Sequence, residues 1–119
     1  MTPLRILLVE DEVMIGVLLA EVLEDMGHDV CGVEATEAEA IAAAARCNPD
    51  LMIVDVWLAD GNGVSAVAKI LRDGPMPHFF VSADVALART LKPDAEVMQK
   101  PFRERDLVQA IDRAIEATA

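Results

Sequence analysis

Residues 4–27, LRILLVEDEVMIGVLLAEVLEDMG, contain the strongest indication of the fold. They begin with the short aliphatic run LRILLV, which is typical of a strand buried on both faces of a sheet. Apolar residues then recur at the spacing of one helix face, at Ile15, Leu18, Leu19, Val22, Leu23 and Met26. Gly27 stands where a helix commonly ends. The segment therefore predicts one buried strand followed by one amphipathic helix.

Four more apolar runs predict further strands. They span residues 29–33, 51–54, 78–82 and 95–99. Each run is followed by a segment with a helical pattern, so the order is strand then helix, repeated five times. Because parallel neighbours need a crossover connection, this alternation predicts a doubly wound α/β fold with helices on both faces of a parallel sheet. The 119 residues suit a single domain.

The segments between the strands contain helix-capping signals. Thr36 and Glu39 have the spacing of a capping box, which predicts an alanine-rich second helix. Asn62 is suited to cap a third helix. Residues 84–91 predict only a short and poor fourth helix, with Asp84 as its N-cap. The apolar face of the last helix consists of Leu107, Val108, Ile111, Ala114 and Ile115.

Composition excludes several classes of function. Ten basic and twenty-one acidic side chains give a net charge of −11, which argues against direct nucleic-acid binding and suits metal ions and basic partners. No apolar run approaches the roughly 20 residues of a membrane span, so no membrane association is expected. Cys31 and Cys47 lack metal-ligand spacing and are expected to be reduced, which favours a cytoplasmic location.

Polar and charged residues follow the predicted strands at their carboxyl ends. Glu10 and Asp11 follow the first strand, Asp55 the third, Ser82 ends the fourth, and Lys100 follows the fifth. The carboxyl ends of parallel strands share one edge of a sheet, where ligands bind in folds of this class. We therefore expect these five side chains to lie together.

This set of groups suits phosphoryl transfer. Adjacent carboxylates need a compensating cation, and hard oxygen ligands suit Mg²⁺. Asp55 is the candidate nucleophile and would form an aspartyl phosphate. Lys100 would supply a second positive charge, Ser82 a hydrogen bond, and the small Ala83 room for the phosphoryl group. Each residue alone is more often a solvated surface group, so the inference depends on their recurrence at the strand ends.

Four stretches of the chain resemble the receiver domains of bacterial two-component response regulators. They are ILLVEDE (6–12), DLMIVDVWLADGNG (50–63), FFVSA (79–83) and QKPF (99–102). With the repeated strand–helix pattern, the resemblance covers essentially residues 1–119, as one receiver domain. It implies a flavodoxin-like (βα)5 fold with strand order 2-1-3-4-5.

The resemblance also implies residue roles. Asp55 would accept a phosphoryl group from a histidine kinase or a histidine phosphotransfer protein. Asp11 and Asp55 would bind Mg²⁺ through their side chains, Glu10 directly or through water, and Trp57 through its backbone carbonyl. The phosphoryl group would contact Ser82 and Lys100, and the Lys100–Pro101 peptide bond would be cis.

The sequence departs from this family in the region after Ser82. Val97 occupies the place where many receivers have a Tyr or Phe. In those receivers the aromatic ring moves inward when the Thr or Ser at the position of Ser82 moves towards the phosphoryl group. Ser82 and Lys100 are only 18 positions apart, roughly four fewer than usual, which removes about one helical turn. The shortened connection resembles that of a group of stand-alone receivers with a degenerate fourth helix. In many receivers, the face formed by helix 4, strand 5 and helix 5 makes a dimer. That dimer is not expected here, and the chain is expected to be a monomer or a weak dimer.

Trp57 and Asp84 flank the predicted site. Trp57 follows Asp55 by two positions and either only packs against the loop or shields the phosphoryl group from water. The second alternative is the hypothesis that Trp57 slows autodephosphorylation. Asp84 follows Ser82 by two positions, and its simpler role is to cap the fourth helix.

The favoured function is a phosphorylation-dependent signalling module that acts on an unidentified protein target by conformational change. Its only catalysis would be its own phosphorylation and dephosphorylation. The initial methionine and the stop soon after the last helix favour a stand-alone chain over a receiver excised from a larger response regulator or hybrid kinase. A pseudo-receiver is disfavoured by the intact site. A phosphatase of the haloacid-dehalogenase type would need a general acid where Trp57 stands.

Overall fold

The computed structural model describes residues 2–118, over which five strands alternate with five helices. The strands are β1 (Arg5–Val9), β2 (Asp29–Glu34), β3 (Leu51–Asp55), β4 (His78–Ser82) and β5 (Val97–Gln99). The helices are α1 (Val13–Asp25), α2 (Glu37–Cys47), α3 (Gly63–Ile70), α4 (Val85–Leu91) and α5 (Glu104–Thr118). A 3-10 turn at Leu71–Asp73 follows α3.

The strands form one parallel sheet in the order β2-β1-β3-β4-β5. This arrangement confirms the predicted doubly wound α/β fold and the strand order that the family resemblance implies. All five residues of β3 are buried, and its neighbours are β1 and β4. The central position of β3 brings Asp55, its last residue, to the middle of the carboxyl edge of the sheet.

The core has two layers, one on each face of the sheet. Alternate side chains of a strand point to opposite faces. Thus Leu7, Val54 and Phe80 pack with residues of α2, α3 and α4. On the other face, Ile53 and Phe79 pack with residues of α1 and α5. Burial of one such side chain contributes about 1.5–3 kcal/mol.

The predicted helix caps are confirmed. The Thr36 hydroxyl accepts a hydrogen bond from the Glu39 amide at 3.2 Å, and the Asn62 side chain accepts one from the Ser65 amide at 2.8 Å. The Asp84 carboxylate accepts one from the Leu87 amide at 2.9 Å. Helix α4 has seven residues, which confirms the predicted short helix.

The predicted apolar face of α1 is partly wrong. Leu19 and Leu23 are buried, but Leu18 is 56% exposed and Val22 37%. The helix packs along the line of Gly16, Leu19 and Leu23, and a Cβ at position 16 would lie only 2.8 Å from a methyl of Val33. This close approach turns the Leu18 and Val22 side chains outward.

Two other element predictions need correction. The fifth strand begins at Val97 rather than at residue 95, because the Ala95 amide donates to the Lys92 carbonyl at 3.1 Å and closes a turn. In α5, the predicted face is confirmed for Leu107, Ile111 and Ala114, which are buried, and for Ile115, which packs against them, but Val108 is only partly buried and the unpredicted Ala110 is fully buried.

The two cysteines are free thiols on neighbouring elements. The Cys47 thiol donates to the Cys31 carbonyl at 3.2 Å. Burial, with a hydrogen bond to Cys47, raises the pKa of Cys31 to about 12, which makes its thiolate scarce near neutral pH. Over residues 2–118, no helix combines the length and the apolar character needed to cross a membrane.

Candidate functional site

Charged side chains converge at the carboxyl edge of the sheet, as predicted from the strand ends. Glu10 follows β1, Asp55 ends β3 and Lys100 follows β5. Glu10 is 6% exposed and Asp55 8%, which is unusual for acidic residues unless they are paired. Burial of a charge without a partner costs several kcal/mol, so the site depends on the compensation provided within it.

Three carboxylates form a compact group at this edge. One carboxylate oxygen from each of Glu10, Asp11 and Asp55 lies within 4.8 Å of the other two. Oxygens bound to one Mg²⁺ lie at most about 4.2 Å apart, so only a small contraction separates this group from a ligand set. The donors are hard oxygens of net negative charge, and they fit Mg²⁺ better than a softer transition metal.

Lys100 bridges two of these acids. Its ammonium donates to Glu10 Oε1 at 2.9 Å and to Asp55 Oδ2 at 3.0 Å. Burial by itself lowers the pKa of Lys100, but the hydrogen bonds to the two carboxylates outweigh this effect and raise the pKa above its ordinary value. Lys100 is therefore a permanent cation in the site.

Backbone amides orient the same two acids from the other side. The Glu12 amide donates to Glu10 Oε2 and the Trp57 amide donates to Asp55 Oδ1, both at 3.3 Å. Each carboxylate thus gives one oxygen to Lys100 and the other to the amide two residues further along the chain. This shared pattern fixes the orientation of both carboxylates.

Ser82 lies at the same edge but is engaged locally. Its hydroxyl donates to the Asp84 carbonyl and accepts from the Asp84 amide, both at 3.1 Å, and the side chain is buried. The Lys100 amide donates to the Ser82 carbonyl at 2.9 Å, which ties the ends of β4 and β5 together. Ala83 is exposed beside them. A contact between the Ser82 hydroxyl and a phosphoryl group therefore requires a rotation of its side chain.

The loop after Asp55 is a tight turn. Trp57 pairs with Asn62 in an isolated antiparallel bridge, and the Gly63 amide donates to the Val56 carbonyl at 2.9 Å. A Cβ at position 63 would lie 2.1 Å from the Asp55 carbonyl oxygen, so only glycine fits there. The Trp57 side chain is 45% exposed. The turn itself therefore sets the position of the Trp57 backbone.

Glu37 is a residue of this region that the sequence analysis missed. Its carboxylate accepts hydrogen bonds from Lys69, Ser65 and the Asn62 amide, which together lower its pKa to about 2. These partners lie 25 to 32 positions away along the chain, so no local spacing indicates the contact. The neighbouring capping box at Thr36 explains the start of α2 without it.

Strand β5 and the segment that follows it have two further features near the site. The Lys100–Pro101 peptide bond is cis. Val97 is half-buried and packs against the core layer under α2, α3 and α4. At the position that is aromatic in many receivers, this chain therefore has an aliphatic side chain.

Comparison with known proteins gives consistent matches over almost the whole chain. The family described as response regulator receiver domain matches residues 6–112. The phyllosphere-induced regulator PhyR of Methylorubrum extorquens is 33% identical over 115 residues, covering 93% of this chain and 43% of that protein. The transcriptional regulatory protein PdtaR of Mycobacterium tuberculosis is 33% identical over 118 residues, covering 95% of this chain and 57% of that protein.

Solved structures agree with these matches. The solution structure of the REC domain of the PhyR response regulator from Erythrobacter litoralis is 30% identical, with a TM-score of 0.84, and the match covers 98% of this chain and 92% of that one. This chain spans about half the length of the curated relatives PhyR and PdtaR.

Proposed function

The chain belongs to the response regulator receiver domain family of two-component signalling, and we propose that Asp55 is its phosphoacceptor. The observation that carries this proposal is the environment of Asp55. Asp55 is the last residue of the central strand. Its carboxylate accepts a hydrogen bond from Lys100 at 3.0 Å and has an oxygen within 4.8 Å of oxygens of Glu10 and Asp11. Of the three acids, it is the one that ends the central strand of the sheet.

The proposed reaction is an in-line transfer from a phosphohistidine. An Asp55 carboxylate oxygen forms the new P–O bond while the P–N bond of the donor breaks, and the released imidazole takes up a proton from solvent. Lys100 is already placed to balance the charge of the phosphoryl oxygens. The Ser82 hydroxyl can turn from Asp84 towards one of these oxygens.

We assign the metal site to the three carboxylates and the Trp57 backbone carbonyl. Glu10, Asp11 and Asp55 supply oxygen donors at a spacing that suits one Mg²⁺. When bound, Mg²⁺ neutralises negative charge that develops on the transferring phosphoryl group. Asp55 would then serve both as ligand and as nucleophile, with the backbone amide of Trp57 holding its second oxygen.

The surface next to the site supports a protein as the phosphodonor. The first half of α1 exposes large apolar side chains, with Val13 73%, Met14 72%, Leu18 56% and Val17 47% exposed. These residues begin at Val13, two positions after Asp11 in the chain. An apolar patch of this kind marks protein contact surfaces. We propose that a histidine kinase or phosphotransfer protein contacts α1 and that output is likewise by protein contact.

Phosphotransfer to purified protein tests the proposal. Wild type should acquire one phosphoryl group from a small acyl phosphate with Mg²⁺, and faster from one of the host's histidine kinases; intact-mass measurement detects the adduct. Asp55→Asn should acquire none, whereas Asp60→Asn, which changes an exposed acid of the same loop, should behave as wild type. An adduct on Asp55→Asn, or none on wild type with any donor, would contradict the proposal.

The phosphatase alternative makes a different prediction. Such an enzyme needs a proton donor two residues after the nucleophile, and here that position holds Trp57, which cannot serve as a general acid. With a small phosphomonoester as substrate, we expect each protein molecule to release no more than one phosphate on the timescale of autodephosphorylation. Sustained turnover of a small phosphomonoester would overturn this assignment.

A further inference from the structure

We propose that Glu37 is a positioning residue, which holds the loop from Trp57 to Asn62 in the conformation that presents the Trp57 carbonyl to the metal. We call the Glu37 carboxylate and its three partners, Asn62, Ser65 and Lys69, the Glu37 clamp. The inference rests on the proposed function, because it explains what holds the Trp57 carbonyl, which is a ligand in the proposed metal site. It adds a residue from α2 to a site otherwise built from the ends of β1, β3, β4 and β5.

The clamp joins three parts of the chain through one carboxylate. Glu37 Oε1 accepts from the Asn62 amide at 3.2 Å, while Oε2 accepts from Ser65 Oγ at 2.8 Å and from Lys69 Nζ at 2.6 Å. The Glu37 side chain is only 14% exposed, so its bonds to Asn62 and Ser65 are partly buried, whereas the Lys69 side chain is 46% exposed. Hydrogen bonds to an ionised group are about twice as strong as neutral ones.

Main-chain and packing contacts add to the clamp. The Glu37 amide donates to the Asp60 carbonyl at 3.1 Å, so one residue of α2 holds the loop at two points. Between them, Gly61 packs directly against the Glu37 side chain, and a Cβ there would lie 2.5 Å from Glu37 Oε1. Gly61 also has a φ of +83°, which favours glycine. A side chain at position 61 would therefore collide with Glu37.

The clamp reaches Trp57 through Asn62. Asn62 pairs with Trp57 across the turn, its side chain caps α3, and its amide is held by Glu37. The Trp57 side chain is 45% exposed and so gives its own backbone little anchorage. We infer that the position of the Trp57 carbonyl depends on Asn62, whose amide Glu37 holds directly.

A purely structural ion pair between α2 and α3 is the alternative explanation. It would lower stability when broken but leave the metal site unchanged in the folded protein. Glu96 provides the control, because it lies just before β5, away from the loop, and its carboxylate pairs with Arg113 of α5 at the same 2.6 Å. Comparison of Glu37→Gln with Glu96→Gln separates a positioning role from general stabilisation.

The experiment has two readouts that do not depend on phosphorylation. The first is acrylamide quenching of Trp57, the only tryptophan, in the metal-free protein. The second is the Mg²⁺ dissociation constant from calorimetry. We expect Glu37→Gln to increase quenching and to weaken Mg²⁺ binding by about tenfold, the lower end of the range for residues that orient metal ligands. Glu96→Gln should change neither readout by more than about twofold.

Lys69→Met provides a second variant if Glu37→Gln does not fold. It removes one partner of the clamp but leaves the bond from Asn62, so a smaller change in the same direction is expected. Unchanged quenching and Mg²⁺ affinity in the folded clamp variants would overturn the inference while wild-type phosphorylation still supports the proposed function. Failure of wild type to bind Mg²⁺ and to accept a phosphoryl group would instead refute the proposed function.

Discussion

Replacement of Lys100 by methionine should destabilise the metal-free protein and, at the same time, strengthen its binding of Mg²⁺. The ammonium lies 2.9 Å from Glu10 and 3.0 Å from Asp55, two acids that are almost completely buried. Lys100→Met keeps most of the side-chain volume and removes the only described cation in contact with these two carboxylates within residues 2–118. Their charges are then left uncompensated until a metal ion binds.

The expected magnitude follows from burial. Removal of one partner of a buried ion pair costs about 3–5 kcal/mol, and the 20% exposure of the Lys100 side chain favours the lower end, about 3 kcal/mol. For a chain of this size that corresponds to a fall in Tm of about 12 °C. Two unit charges about 4 Å apart interact by about 1 kcal/mol even in bulk water, and a divalent ion doubles this value. Mg²⁺ affinity should therefore rise at least about tenfold.

Thermal unfolding with and without Mg²⁺ tests both parts. Lys100→Met should regain about 2.7 kcal/mol when Mg²⁺ reaches 100 times its dissociation constant, because only the folded state binds the ion. Lys92→Met is the control, since Lys92 pairs with Asp94 at 3.2 Å on the surface and its loss should change stability by less than about 1 kcal/mol. Calorimetry gives the affinity directly.

Two results would refute this reasoning. A loss of less than about 1 kcal/mol in Lys100→Met would mean that Glu10 and Asp55 do not depend on the lysine for compensation. A weaker affinity for Mg²⁺ in the variant would mean that Lys100 assists the ion rather than competing with it for the same oxygens.

Three other predictions concern residues around the site and the opposite end of the sheet. Trp57→Ala should shorten the lifetime of the phosphoryl group on Asp55, measured by loss of the adduct after donor removal, and an unchanged lifetime would rule out shielding by the indole. Gly63→Ala should cost about 3 kcal/mol in urea unfolding, because its methyl would lie 2.1 Å from a backbone oxygen, and a wild-type midpoint would show that the loop can open. Burial lowers the pKa of His28, so its contribution to stability is fully present above its ordinary value of 6.5 and is lost as the pH falls through the lowered value. In urea titrations from pH 7.5 to 5, His28→Gln should therefore lose less stability than wild type, and an equal loss would show that His28 is not the group responsible.

The sequence predicts well those features that depend on strand ends. Asp55 follows a continuous apolar run, which is typical of a parallel strand buried on both faces of the sheet. The same logic correctly brings Glu10 and Lys100 to one edge, although they are 90 positions apart. Periodicity is less reliable for α1, because this helix has aliphatic residues on more than one side. The contact between Gly16 and Val33 then determines which side is buried.

Features that depend on side-chain direction or on distant partners could not be predicted in this way. The sequence indicates that Ser82 places a hydroxyl at the site. It does not indicate that this hydroxyl forms hydrogen bonds with the backbone of Asp84. Glu37 has an ordinary position in the first turn of a helix, where an acid is favoured by the helix dipole in any case. Its bonds to α3 become visible only when α2 and α3 are packed side by side.

The bonds of Ser82 also suggest how this receiver can respond without an aromatic residue at Val97. A Ser82 hydroxyl that turns to a phosphoryl oxygen must release both the amide and the carbonyl of Asp84. Asp84 caps α4, and this helix has only seven residues, so it depends strongly on a cap that contributes about 1 kcal/mol. Leu87 and Leu91 on α4 are 47% and 44% exposed. Movement of Ser82 would therefore act on the apolar surface of α4 through its cap rather than through the rotation of a buried ring.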